Sequence, residues 1–144
     1  MKTFLLILAG IALACLVLFV LPFPVHSQVA SITLDWTSSG DDGVVGTAST
    51  YEMRWATTRP DTTSSTSMDS WWATATIVPS MPTPLISGTS QSKQVTGPFL
   101  SGATYYFVMK ACDEVPLCSP YSNVASKFIP DTIPPSRIID LRTR

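Results

Sequence analysis

The chain has 144 residues, 45% of them hydrophobic and 13% charged, with a formal net charge of -1. That is enough chain for one domain, and a near-neutral charge without a basic cluster leaves no electrostatic footprint for nucleic acid. The single histidine, His26, stands near the N-terminus, so the many Ser and Thr hydroxyls further on have no imidazole to serve as a base for nucleophilic chemistry.

Lys2 precedes an uncharged run from Phe4 to Leu21, followed by Pro22, Pro24 and Val25-His26-Ser27. A positive residue, an apolar stretch, helix breakers and then small or β-branched residues predict a signal peptide helix over residues 1–27, cut after Ser27, and hence a secreted or cell-surface product. The run also approaches the ~18 apolar residues that begin to suggest a membrane span, so an uncleaved anchor is the alternative and the one route to membrane contact. Lipidation at Cys15 fits poorly with the preceding Ala12-Leu13-Ala14, and it would leave LVLFVLPF at the new N-terminus. With Cys15 removed, Cys112 and Cys118 remain as an even pair, and an oxidising compartment favours a disulfide over a metal site that lacks two further ligands.

From residue 30 onward the pattern has period two. Ser31–Trp36 alternates, with Ile32, Leu34 and Trp36 on one face, and a turn cluster follows over Ser38–Gly43. Tyr51, Met53 and Trp55 alternate inward in the next strand. Thr57–Ser67 is too polar to pack and reads as a surface loop, Trp72–Val78 reads as a short strand, and the proline-punctuated residues 79–88 read as irregular. Gln91–Thr96 is strand-like. Thr104–Ala111 is the strongest strand, with Tyr105, Phe107, Met109 and Ala111 on one side, and Tyr121–Phe128 is the last. Six short strands between Gly, Pro and Ser turns predict an all-β antiparallel sandwich over residues 28–129.

The stretches LDWTSSGDDGVVGTASTYEMRW, WATATIV and QVTGPFLSGATYYFVMKACDEVPLCSPYSNVAS together cover most of residues 31–128 and resemble a fibronectin type III module, an immunoglobulin-like sandwich, of the kind found in secreted bacterial multidomain proteins. The resemblance implies that Trp36 is the core tryptophan of the second strand, B. It places Tyr51, Met53 and Trp55 in strand C, Trp72 on the strand after the long loop, and Tyr105 at the tyrosine corner, its hydroxyl bonding backbone near the Phe99-Leu100 turn. Pro98 adds a residue there, leaving Phe99 and Leu100 as alternatives for the pocket that family members fill with leucine.

The departure from the family is at the flank. Members carry a first strand, A, ahead of B, whereas only Gln28-Val29-Ala30 lie between the expected cleavage site and B. Residues 130–144, PDTIPPSRIIDLRTR, resemble instead the linker and first strand of a following module. A bare edge on B leaves unpaired backbone groups over an apolar core, at ~1–3 kcal/mol for each buried group left unmade. The expectation is that Ile138, Ile139 and Leu141 form a donor strand for an acceptor groove beside Ile32 and Leu34 of another copy. Head-to-tail repetition of that contact gives a filament. Self-insertion, edge pairing with another partner, and a fragment of a longer tandem protein are the alternatives.

Asp41, Asp42, Asp113 and Glu114 fall in loops that the family topology brings to one pole. They offer a calcium site, against the plainer role of carboxylates that make turns and cap backbone N–H groups; no other cofactor is indicated. Paired carboxylates without a deep pocket make a poor glycosidase. Trp71 and Trp72 offer an exposed platform for a surface glycan, against one being core and its neighbour half-covered. The sequence thus predicts a secreted, non-enzymatic structural or adhesive subunit that self-associates. The competing class is an extracellular module binding carbohydrate or protein.

Overall fold

The computed structural model describes residues 31–115, 117–132 and 134–143; the expected signal peptide and Gln28-Val29-Ala30 lie outside them. Six strands and one helix are formed: β1 Ser31–Thr37, β2 Thr50–Ala56, α1 Ser65–Thr74, β3 Thr76–Ile77, β4 Ser90–Thr96, β5 Thr104–Cys112 and β6 Ala125–Phe128. They make two antiparallel sheets, β1-β4 and β3-β2-β5-β6, packed as a β-sandwich.

Period-two burial sets the register. On β1, Ile32 faces Val95 of β4, Leu34 faces Lys93 and Trp36 faces Gln91, with Ile32, Leu34 and Trp36 turned inward while Ser31, Thr33 and Asp35 meet solvent. On β2 and β5 the pairs Met53–Met109 and Trp55–Phe107 carry the same inner face. The core between the sheets holds Ile32, Met53, Val78, Val95, Phe99, Tyr105, Phe107 and Ile129, flanked by half-buried Leu34, Trp36, Trp55 and Met109. Phe99, at 0% exposure, takes the pocket left open between it and Leu100. Its ring packs edge-on to Tyr105 at 4.7 Å and Trp55 at 5.3 Å. Leu100 is exposed, and its N–H donates to the Tyr105 hydroxyl at 2.6 Å.

The region between β2 and β4 departs from the sequence reading. Thr57–Ser67 is not wholly loop, since a helix spans Ser65–Thr74; the short strand expected within Trp72–Val78 is present as Thr76–Ile77, but Trp72 stands on the helix and not on that strand. Ser64 has the extended backbone of an N-cap, and its hydroxyl accepts from the Ser67 N–H at 3.1 Å. Met68, Trp71, Trp72 and Ala75 then recur at helical spacing and form a second apolar cluster with Val108, Ala56, Tyr106, Tyr121 and Val124 on the outer face of the four-stranded sheet. That sheet is therefore apolar on both faces, which explains the unbroken Tyr105–Met109 run of β5. The last strand is also shorter than expected. Over Tyr121–Val124 regular pairing gives way to local bonds: Ser122 donates its N–H to the Met109 carbonyl, and its hydroxyl accepts from the Met109 N–H.

Strand connections define two poles. The end of β1, the start of β2, the start of β4 and the end of β5 meet at one, where residues 38–49, 85–89 and 113–120 form the loops. The start of β1, the end of β4 and the end of β6 meet at the other, together with residues 97–103, and from this tail pole the C-terminal segment departs.

Candidate functional site: an open flank and an exposed tail

The two sides of the sandwich are closed differently. On the β3 and β4 side, residues 79–85 are tied to β4: Gln91 donates to the Thr83 carbonyl and accepts from the Leu85 N–H, and Lys93 donates to the Ser80 carbonyl at 2.7 Å. On the β1 and β6 side, β1 pairs only with β4 and β6 only with β5 among the described residues. Between those two edges lies a cleft of about 90 Å³ lined by Leu34, Trp36, Met53, Phe107, Met109 and Ala125, together with polar Ser122 and Asn123. The indole of Trp36 packs edge-on to Tyr51 at 5.5 Å, and its Nε1 is buried without an acceptor among the described residues. A flank with an apolar floor, two strand edges and a spare N–H donor is suited chemically to backbone in extended form.

The expected donor segment is described through Thr143, apart from Ile133. Its described residues form no strand. Ile138 is 76% exposed, Ile139 82% and Leu141 90%, so these three side chains are not packed on their own domain. The acceptor residues named from sequence, Ile32 and Leu34, differ in availability: Ile32 is buried in the core, whereas Leu34 borders the cleft. Trp36, Met53, Phe107 and Met109 are inward on their strands as expected, but that they line one cleft together with Ala125 follows only from how the sheets stack.

At the loop pole, Asp41, Asp42 and Asp113 line one cleft. Partial burial lifts the Asp41 carboxyl above its usual range, and the charges of Glu114, Asp42 and Asp113 add to the effect. Asp113 serves as a turn acceptor, its Oδ1 receiving the Val115 and Leu117 N–H groups at 3.0 and 2.8 Å. Among the described residues no group of three or more His, Cys, Asp and Glu is arranged to hold a metal ion. Cys112 and Cys118 are joined by a disulfide that pins this loop.

Trp71 and Trp72 form no exposed glycan platform, and both are more covered than the alternative of one core and one half-covered ring. Trp71 and Trp72 are 8% and 9% exposed on α1. Trp71 Nε1 donates to the Thr58 carbonyl, while the Trp72 ring meets the Arg54 guanidinium at 4.9 Å and the Tyr121 ring at 5.3 Å. The same packing, with a hydrogen bond to Asp69, pushes the Tyr121 hydroxyl up to about 12, burial being the larger cause. Among the described residues no helix is long and apolar enough to cross a membrane.

The fold thus defines the chain as a two-sheet antiparallel β-sandwich with a helix over one face. Comparison with protein-family models, with curated proteins and with solved structures returns no match.

Proposed function

We propose that this protein is a secreted, non-enzymatic structural or adhesive subunit of the fibronectin type III kind, and that copies join by inserting the C-terminal strand of one into the open flank of the next. The observation that carries the reading is the cleft between β1 and β6, with apolar Leu34 and Trp36 at an edge whose ladder is made on one side only. An edge of that kind is a template for another strand. The exposed Ile139 and Leu141 supply the matching knobs. Side chains two apart share a face of a strand, so these two enter the cleft together while Ile138 and Asp140 face outward. Phe128 to Ser136 spans at most about 26 Å when extended, and three prolines stiffen it. That reach favours a neighbouring molecule over the chain's own flank, and one interface used head to tail produces a filament.

Removing residues 131–144 tests the reading. The truncated protein is expected to keep its fold and to run as a monomer on size exclusion, whereas the full chain gives a ladder of larger species. A module that only binds a ligand would be indifferent to the deletion. Equal elution of both forms would overturn strand exchange.

A further inference from the structure

The loop pole carries a set of exposed aliphatic side chains that strand exchange alone does not use. Val44, Val45, Ile86, Val115 and Leu117 all stand in solvent there; two of the three loops bearing them are fixed to each other, and the third is held in shape by its own bonds. Asp42 bridges Val45, the Ser87 N–H donates to the Gly46 carbonyl at 3.2 Å, and the Gly88 N–H donates to the Ser38 carbonyl at 3.0 Å. Gly40 lies so close to Val45 that a Cβ there would stand 2.4 Å from the Val45 carbonyl oxygen, and the disulfide closes the third loop. This apolar crown is preformed, so little ordering entropy stands against its use in binding. Its loops carry Asp41, Asp42, Asp113 and Glu114 and no Lys or Arg. The opposite pole exposes Leu100 and Phe128, and the tail beyond it carries three arginines, Arg137, Arg142 and Arg144, against two aspartates, Asp131 and Asp140.

We propose that the loop pole of each subunit docks against the tail pole of the copy that donates to it, so that the incoming strand passes Arg137 over the acidic loops and runs antiparallel to β1. This rests on the strand-exchange reading and adds a second interface to it. An antiparallel partner for β1 has to start where β1 ends, at Thr37, which is the loop pole. The linker from Ile129 to Arg137 then reaches at most about 26 Å, so the donor's tail pole is held close to the acceptor's loops. Both faces expose apolar side chains, and Arg137 at the start of the incoming strand is opposite in charge to the acidic loops it passes; such complementarity fixes orientation and speeds association.

The test uses full-length protein with two sets of loop-tip variants, each checked for an unchanged melting temperature. Val44→Ser combined with Leu117→Ser is expected to weaken subunit association about tenfold while leaving it dependent on the tail. Glu114→Arg is expected to slow elongation about fivefold at low salt, and adding Arg137→Glu to restore it. Polymers that still require residues 131–144 but ignore all these changes would overturn the docking of poles and leave strand exchange standing. A full chain that stays monomeric at every concentration overturns both.

Discussion

Replacing Ile139 and Leu141 together by serine separates assembly from folding. Both side chains are almost wholly in solvent in the free chain, so their loss is expected to change the domain's stability by less than about 0.5 kcal/mol. For a domain of this size that keeps the melting temperature within about 4 °C. In a neighbour's cleft each side chain would leave water against Leu34, Trp36 and Phe107, gaining about 2 kcal/mol apiece. The pair then contributes about 4 kcal/mol, close to a thousandfold in the subunit dissociation constant. Sedimentation velocity over a concentration series reads that constant, and a thermal melt of the same samples reads the fold. Ile138→Ser, on the outward face, is the control and is expected to cost less than about fivefold. A melting temperature lowered by many degrees would show that the tail packs on its own domain. An unchanged association constant would show that it is not the donor.

Tyr105→Phe leaves the Leu100 N–H without its acceptor, and chemical denaturation is expected to show a loss of about 1–3 kcal/mol. Trp72→Ala empties the space between α1 and the sheet; a loss of about 3–5 kcal/mol is expected, together with reduced helical circular dichroism, whereas a purely exposed ring would cost little. Asp41 binds its proton more tightly in the folded chain, so its contribution to stability is full at low pH and disappears as pH rises through the raised folded value. Asp41→Asn is accordingly expected to be more stable than the parent at about pH 7 and to lose that advantage at about pH 3, as read by melts across pH.

Strands β1 and β2 were legible because apolar side chains alternate along each with polar or charged ones. Ile32, Leu34 and Trp36, or Tyr51 and Met53, announce themselves by alternation alone. The helix leaves a signal in the sequence too, but a weak one. Met68, Trp71, Trp72 and Ala75 stand at i, i+3, i+4 and i+7 behind a Ser64 cap, yet Ser and Thr between them lower helix propensity and make the stretch look like loop. Tertiary packing on Val108 outweighs that weak preference. The two carboxylate loops were expected at one pole, and Asp41, Asp42 and Asp113 do line a common cleft there. A groove beside Leu34 was expected, but its far wall at Phe107, Met109 and Ala125 was not, because it arises where edges about ninety residues apart in the chain come side by side. No local pattern records how well a third element covers that gap.

Strand β6 is only four residues long and is bonded to β5 from Phe107–Ala125 to Thr104–Phe128, with Ile129 adding two more backbone bonds to Gly102 and Ala103. Tension applied through the C-terminus falls first on that short ladder, while β5 behind it is clasped by β2 over seven pairs. Under stretch the molecule should therefore yield by peeling its final strand, with the inner sheet intact, and the length it gives up before breaking is set by the residues between Val124 and the point where the tail is held.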